Sequence, residues 1–162
     1  MAHRPDTLEH APLGRDSAYP EQYDAGLLYP IPRAANRAPL GIDEGVLPFV
    51  GEDEWHAFEV SWLNSRGKPI VAVARFRLPA HSPNLIESKS WKLYLNSFNQ
   101  SRFYSRQEVM ETMANDLAVA AGAEVSVELF DVDASELSPQ QLPGECLDDL
   151  DIAINDYTPS SA

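Results

Sequence analysis

The sequence predicts an α+β fold in which two helices cover one face of a four-stranded antiparallel sheet. Four segments alternate apolar and polar side chains, which is the period of a strand. They are residues 55–64, 69–78, 124–132 and about 150–155. Between the second and third of these, two segments carry apolar residues at helical spacing. The resulting order, ββααββ, is typical of an antiparallel sheet whose helices are segregated to one face.

Residues 1–50 are predicted to form a proline-rich arm, and residues 51–162 the folded module. The arm holds 7 of the 13 prolines and shows no sustained period. It nevertheless contains apolar residues that a mobile tail would rarely collect, namely Leu27, Leu28, Tyr29, Ile31, Leu40 and Ile42. We therefore expect an extended segment that is loose at its tip and packs on the module from about Tyr23 onward.

The first two strands are predicted to form a hairpin, because the intervening Ser65-Arg66-Gly67-Lys68 reads as a turn. In the first strand, the alternation places Phe58, Val60 and Trp62 on one face. In the second strand, Ile70, Ala72, Ala74 and Phe76 share a face, whereas Val71, Val73, Arg75 and Arg77 point the other way.

The two predicted helices differ in how clearly they are marked. The first has one apolar face, made by Trp91, Tyr94, Leu95 and Phe98. The second begins with a capping box from Ser105 to Glu108, and Tyr104 and Val109 are placed for a hydrophobic staple. Its inner face continues through Val109, Met113, Leu117 and Ala120, and Gly122 is placed to end it.

The edges of such a sheet need a partner. A four-stranded sheet with one helical face leaves unpaired backbone groups along both edge strands. Another copy of the chain or a second module would cover them, so we expect a homo-oligomer or a larger assembly.

Composition limits the class of protein. Hydrophobic residues make up 44% of the chain, too many for a wholly disordered protein. No apolar run approaches the roughly 20 residues that a membrane span needs, and the first ten residues, MAHRPDTLEH, lack the pattern of a secretory signal. The single cysteine, Cys146, fits a reducing compartment. We therefore expect a cytoplasmic protein without a membrane partner.

The charges are unevenly distributed. The net charge of −13 argues against binding nucleic acid, because phosphate contacts need clustered Lys and Arg. Residues 62–106, however, carry eight basic side chains and one acid, whereas residues 107–162 carry 13 acids and no Lys or Arg. The basic segment could hold a small anionic ligand, such as a phosphorylated cofactor. Equally, Arg75 and Arg77 could pair with acids on neighbouring strands, and composition does not decide between the two.

Few residues have the setting that catalysis or metal binding requires. Cys146 lies among acids in GECLDDLD, which disfavour a thiolate, so we interpret it as structural. The histidines match no metal-site spacing, and one cysteine cannot make a structural zinc site, so no metal is predicted. They are His3, His10, His56 and His81. No GxGxxG and no P-loop is present.

The run ESKSWKLYLNSFN, residues 87–99, sets two lysines beside the densest aromatic patch of an acidic chain. Ser88 and Lys89 would lie in a first helical turn, whose free N–H groups and positive dipole end favour phosphate. Glu87 could accept hydrogen bonds from a base with adjacent N–H donors. Alternatively, Glu87, Lys89 and Lys92 form an ordinary solvated helix face, which periodicity alone favours.

The run from Glu87 to Tyr94 resembles the signature of the QueF family, the NADPH-dependent 7-cyano-7-deazaguanine reductases of queuosine biosynthesis. The resemblance continues through Leu95 to Gln100 and spans nearly the whole chain from about residue 19. It is supported by Tyr23-Asp24-Ala25, Asn36-Arg37, Pro39-Leu40-Gly41, Leu47-Pro48-Phe49, Ser61-Trp62-Leu63-Asn64 and Cys146-Leu147-Asp148-Asp149. The chain is similar to the N-terminal module of the two-module form.

The resemblance implies a tunnelling fold (T-fold) and reduction of the nitrile 7-cyano-7-deazaguanine (preQ0) to the amine 7-aminomethyl-7-deazaguanine (preQ1) by NADPH. By motif position, Ile86, Glu87 and Ser88 resemble substrate contacts, and Ser88 and Lys89 resemble NADPH contacts. In two-module members the nucleophilic cysteine and the proton-donating aspartate lie in the C-terminal module. The resemblance therefore assigns no catalytic residue here, and we expect the 162 residues alone to be inactive.

Two other interpretations stay open at this point. The chain could be a non-catalytic T-fold module that mediates assembly and binds nothing. Less favoured is another T-fold enzyme that acts on a pterin or purine, because the metal or acid–base set that such an enzyme needs is not found in the sequence.

Overall fold

The protein is described by a computed structural model over residues 20–135 and 143–158. These residues form five strands: β1 (Pro30–Pro32), β2 (Glu52–Leu63), β3 (Pro69–Pro79), β4 (Asn84–Ile86) and β5 (Ser126–Phe130). They also form three α-helices, α1 (Ala34–Arg37), α2 (Ser88–Ser97) and α3 (Arg106–Ala121), and two short 3₁₀ helices, Ala25–Leu27 and Ala38–Leu40. The predicted loose tip of the arm, with His3 and His10, lies outside the described residues.

The larger sheet is antiparallel, with β3 hydrogen-bonded to β2 on one side and to β5 on the other. Strands β1 and β4 pair separately, with Pro30 opposite Ile86. Side chains of α2, α3, β2 and β3 meet in one buried cluster. Its largest fully buried members are Tyr94, Phe76, Phe98, Leu78, Ile86 and Met113. Burial of each such side chain contributes about 1.5–3 kcal/mol. The predicted α+β class with an antiparallel sheet is confirmed.

A β-bulge in β2 changes which side chains face the core. The register with β3 shifts between Ala57 and Val60, so that two residues of β2 occupy the space of one. Trp55 packs against the core cluster before the bulge, and Val60 and Trp62 belong to it afterwards. Phe58 is 66% exposed, so its predicted grouping with Val60 and Trp62 is wrong. The cause is the extra residue, which reverses the alternation within a single strand.

The second strand follows its predicted alternation. Ala72, Ala74 and Phe76 are buried in the core cluster, and Val71 is exposed. The charged side chains of β3 lie on the other face, where Arg75 donates two hydrogen bonds to the Glu128 carboxylate at 2.9 and 3.0 Å. Arg77 donates to both Glu128 and Glu54. Of the two explanations for these arginines, pairing with acids on neighbouring strands is therefore correct.

The ends of α3 confirm most of the predicted signals. The Ser105 hydroxyl accepts the Glu108 N–H at 3.0 Å, and Gly122 ends the helix at φ 72°. In a capping box the Glu108 carboxylate would accept the Ser105 N–H. Here it accepts the N–H of the preceding residue, Tyr104, at 2.6 Å. The predicted staple is wrong: Tyr104 is 86% exposed and therefore does not pack on the buried Val109.

The predicted fourth strand is not formed. Residues 150–155 are described and belong to no strand or helix, and their apolar side chains, Leu150, Ile152 and Ile154, are exposed. Alternation requires an edge to pair with, and no described strand hydrogen-bonds this segment. The four-stranded ββααββ arrangement is therefore not observed in residues 20–135 and 143–158. No helix in the described ranges is long and apolar enough to cross a membrane.

Candidate ligand site

A cavity of about 390 Å³ lies between α2 and the bulged part of β2. Its volume is near the lower end of the roughly 300–1,000 Å³ that ligand pockets occupy. The bulge helps to shape it, since Phe58 and Glu59, the two residues opposite a single β3 residue, both line it. The cavity thus depends on a local irregularity of an edge strand.

Aromatic side chains form much of the cavity wall. The rings of Trp55 and Trp91 lie 4.8 Å apart with a tilt of 34°, and Phe76 packs edge-on against Trp91 at 5.1 Å. Rings at these separations pack against one another, and of the three only Trp55 is half-exposed, so it offers the apolar face that a planar ring can reach. The Trp91 indole N–H is buried and has no hydrogen-bond partner among the described residues.

One stripe of α2 supplies polar groups to the same cavity. Ser88, Lys92 and Asn96 follow one another at intervals of four residues, so they lie on one helix face. Lys92 is exposed and has no ion pair or hydrogen bond with any described residue. The cavity therefore combines aromatic walls with an available positive charge, although Glu59 also lines it.

Glu87 has a structural role that the sequence did not predict. Its side chain is only 4% exposed and caps α2. One carboxylate oxygen accepts the Lys89 N–H at 2.8 Å and the other accepts the Ser90 N–H at 2.6 Å. The expectation that the first turn of this helix leaves free N–H groups for a phosphate is thus wrong for these two amides.

The main chain of Glu87 is also fixed. Its N–H donates to the Tyr29 carbonyl at 2.9 Å. Its carbonyl accepts the Ser90 hydroxyl at 2.7 Å, and that hydroxyl in turn accepts the Tyr29 N–H at 3.0 Å. Tyr29 of the arm therefore adds to the β1–β4 pairing in holding the turn in which the signature motif begins.

Further serines of this region bind the arm. The Tyr23 N–H donates to the Ser101 hydroxyl at 2.7 Å, and the Asp24 N–H donates to the Ser97 hydroxyl at 3.2 Å. Residues 23–29 thus run antiparallel to α2, with the N–H groups of Tyr23, Asp24 and Tyr29 bonded to serine hydroxyls. The division of the chain at residue 50 into arm and module stays a prediction.

Two tyrosines meet one carboxylate where the arm crosses the helices. The hydroxyls of Tyr23 and Tyr94 donate to the same oxygen of Asp116, at 2.7 and 2.6 Å. Burial raises the pKa of both phenols well above the usual value, and the hydrogen bond to Asp116 raises it further. Asp116 lies on α3, so this cluster joins the arm to both long helices.

The predicted site residues are therefore only partly brought together. Ser88 lines the cavity, whereas Ile86, Glu87 and Lys89 are not among its lining residues. Ile86 is buried in the core cluster and pairs with Pro30. Their roles as substrate or cofactor contacts stay predictions.

Sequence reasoning missed the sheet side of the cavity. Trp55 and Phe58 were not predicted as site residues. The bulge that brings them to the cavity cannot be recognised from the alternation of apolar and polar residues along the strand. Asn96 could have been found, since it continues the four-residue spacing from Ser88 and Lys92. Within residues 20–135 and 143–158, no cluster of three or more His, Cys, Asp or Glu side chains is arranged to hold a metal ion. Cys146 is exposed.

Fold and cavity together define an α+β module with an aromatic, ligand-sized site beside an edge strand. The chain belongs to the family described as nitrile reductase, 7-cyano-7-deazaguanine-reductase N-term, whose sequence model matches residues 19–129. This confirms the family resemblance read from the motif.

Curated relatives carry the same name. A protein of Chromohalobacter salexigens called NADPH-dependent 7-cyano-7-deazaguanine reductase is 71% identical over 99% of this chain and 58% of its own length. Proteins of that name from Dechloromonas aromatica and Chromobacterium violaceum are 53% and 51% identical, over 99% and 94% of this chain. The matches cover 57% and 55% of those two relatives. The chain thus spans just over half the length of each relative.

Proposed function

We propose that this chain is one half of an NADPH-dependent 7-cyano-7-deazaguanine reductase, an oxidoreductase that converts preQ0 to preQ1 for queuosine in tRNA. The observation that carries the proposal is the position of the signature motif. Ser88, the second residue of the motif, lines a cavity with aromatic walls. Lys92, whose charge is not paired with any described residue, lines the same cavity. The names of the relatives supply the reaction class.

The chemistry of the cavity fits part of both ligands. A deazaguanine or nicotinamide ring could stack on the half-exposed Trp55, and Lys92 could neutralise a phosphate. NADPH would supply the hydride. Because the cavity is small, we infer that it accepts one ring-bearing part and that the rest of the site comes from elsewhere.

The remaining length of the relatives is the natural source of the missing groups. The relatives are longer than the matched region by more than two fifths of their length. Cys146, the one cysteine of the sequence, is exposed in an acidic run that disfavours a thiolate, so we do not assign it as the nucleophile. We propose that this additional module brings the thiol and the acid, completes a T-fold sheet with this chain, and assembles further into an oligomer. A cytoplasmic location stays a prediction.

A binding titration tests the proposal. Calorimetric titrations of preQ0 and of NADPH into the chain are compared for wild type, Lys92→Ala, Lys89→Ala and the control Lys68→Ala. Lys68 is exposed in the hairpin turn and does not line the cavity. Lys92→Ala and Lys89→Ala each remove one charge-assisted contact and are each expected to weaken NADPH binding about tenfold. The affinity of the control Lys68→Ala is expected to equal that of the wild type. Turnover is expected only after the additional module is supplied, so NADPH oxidation by the chain alone would contradict the half-enzyme assignment.

The second candidate is a non-catalytic module that mediates assembly. It is favoured by the exposed, alternating Leu150, Ile152 and Ile154, which are suited to pair with another sheet. Equal, very weak NADPH binding by the wild type, Lys92→Ala and Lys89→Ala would support this alternative over the ligand-binding half.

A further inference from the structure

We propose that the side-chain amide of Asn96 is a specificity-determining group of the cavity, which pairs with an amide edge of a planar ring that stacks on Trp55. An amide edge is a carbonyl oxygen with an N–H donor beside it in the same plane. This inference rests on the proposed function, because it names the group by which the same cavity selects its ligand.

The first argument is that the fold does not use the Asn96 side chain. Asn96 lines the cavity and is half-buried, and its main-chain carbonyl accepts the Asn99 N–H at 3.1 Å. The hydroxyl of the neighbouring Ser97 is occupied, because it donates to the Tyr94 carbonyl at 2.6 Å. The side-chain amide of Asn96, by contrast, forms no hydrogen bond with any described residue. It is therefore available to a ligand in the cavity.

The second argument is what such an amide selects. An asparagine side chain carries an acceptor oxygen and a donor NH₂ group side by side. An amide edge presents a donor and an acceptor at the same spacing, so the two groups can form a pair of parallel hydrogen bonds. A phosphate has no donor, and a hydrocarbon edge has neither group. Only the amide edge therefore satisfies both halves of the Asn96 side chain.

The third argument is the cost of leaving this amide unpaired. A ring that stacks on Trp55 inside the cavity covers Asn96 and displaces the water around its amide. A polar group that is buried without a partner costs more free energy than a formed hydrogen bond gains. Sites with such groups discriminate strongly against ligands that lack the matching group. Asn96 therefore selects between rings that would stack on Trp55 equally well.

Lys92 and Asn96 have different tasks on the same helix face. They are four residues apart, which is about 6 Å along the helix axis. Lys92 acts as a point charge and favours any anion, whatever ring the anion carries. Selection between rings of equal charge needs a neutral donor and acceptor side by side, as on Asn96. Both ligands of the proposed reaction carry the edge: preQ0 has a ring carbonyl beside a ring N–H, and the nicotinamide of NADPH has a carboxamide.

Calorimetric titration with two pairs of ligands tests the inference. The first pair is preQ0 and its analogue without the ring carbonyl, which lacks the adjacent ring N–H as well. The second is NADPH and its 3-acetylpyridine analogue, in which a methyl group replaces the carboxamide NH₂. The wild type is expected to prefer the amide-bearing member of at least one pair about tenfold, and Asn96→Leu and Asn96→Asp are expected to reduce this preference below about threefold. The pair that responds identifies which ring Asn96 contacts. Asn115→Leu is the matched control with wild-type preference, because Asn115 is exposed on α3 and does not line the cavity.

The outcomes separate this inference from the proposed function. If the wild type binds preQ0 or NADPH without preferring the amide edge, or if both Asn96 variants keep the preference, the inference is refuted while the binding role stands. Asn96→Asp has the shape of the wild-type side chain, so a loss confined to Asn96→Leu would be steric and would also refute it. Leucine is a good helix former, and neither variant is expected to unfold α2. If the chain binds neither preQ0 nor NADPH at millimolar concentration, the proposed function fails and the inference with it.

Discussion

Removal of one hydroxyl from the Tyr23–Asp116–Tyr94 cluster is expected to destabilise the protein measurably without disturbing its packing. Tyr94→Phe deletes the donor that lies 2.6 Å from the Asp116 carboxylate, on a side chain with no exposed surface. The ring stays, and with it the edge-on contacts to Phe98 at 5.2 Å and to Tyr23 at 6.3 Å. The change therefore isolates a hydrogen bond.

The magnitude follows from the character of the bond. Hydrogen bonds to charged groups contribute about 1.5–3 kcal/mol, and removing a partner also exposes the cost of an unsatisfied group. Asp116 is only half-buried and keeps the bond from Tyr23, so water and the second phenol compensate in part. We therefore expect a loss of about 1.5 kcal/mol in the free energy of unfolding for Tyr94→Phe, and about 1 kcal/mol for Tyr23→Phe, whose ring is less buried.

The assay is urea unfolding followed by circular dichroism, with the double variant completing a mutant cycle. Because both phenols share one oxygen, the two losses are expected not to add, and the coupling should exceed about 0.5 kcal/mol. The slope against urea should stay constant, since little surface changes. Tyr104→Phe is the matched control, because that tyrosine is exposed. A loss below about 0.3 kcal/mol for Tyr94→Phe, or strict additivity, would refute the shared-acceptor argument.

Three other predictions concern the same framework. Folding raises the pKa of the Tyr23 and Tyr94 phenols above about 10, the unfolded value. Their contribution to the free energy of unfolding is therefore complete below that pH and is lost as pH rises above it. Absorbance at 295 nm should show these two phenols ionising only as the protein unfolds, and ionisation of all six tyrosines in the native protein would contradict this. Phe58 is exposed at the bulge, whereas Val60 is fully buried. In urea unfolding, Phe58→Ser should therefore change the free energy of unfolding by less than about 0.5 kcal/mol, and Val60→Ala should lower it by about 2 kcal/mol. Comparable losses for the two variants would mean that the bulge lies elsewhere in β2. Gly122→Ala should lower the free energy of unfolding more than Gly41→Ala in the same assay. Both glycines have positive φ, but a Cβ on Gly122 would lie 2.5 Å from the Pro83 ring, whereas a Cβ on Gly41 would meet nothing within 4 Å. We expect a loss of about 1–2 kcal/mol for Gly41→Ala and at least about 1 kcal/mol more for Gly122→Ala. Equal losses would show that backbone strain alone decides.

Local signals predicted the helices and the hairpin well. The Ser105 hydroxyl and Gly122 act within one turn of the residues they bond, so the sequence spacing already contains their geometry. The same holds for the alternation of β3, where Ala72, Ala74, Phe76 and Leu78 are buried in the core cluster. The signature motif could also be recognised from the sequence, because its residues are consecutive.

Contacts between distant segments explain what the sequence did not predict. Phe58 turns outward because β2 gains a residue relative to β3, a relation between two strands that neither contains alone. Glu87 was expected to face a ligand, yet it caps its own helix and is held there by Tyr29, 58 positions earlier in the chain. Leu150 and Ile152 have a strand pattern without a strand, because none of the described strands hydrogen-bonds their segment.

The sequence by itself determined the class of fold, both ends of α3, the family and the position of the motif. Each of these depends on spacing along the chain, which side-chain geometry converts directly into a face or a cap. Only the tertiary structure decided which motif residues face the cavity, which cap a helix, and how aromatic side chains from an edge strand complete the wall. These depend on register and on donors from distant segments, and a buried polar group bonds whichever partner the fold brings within about 3 Å.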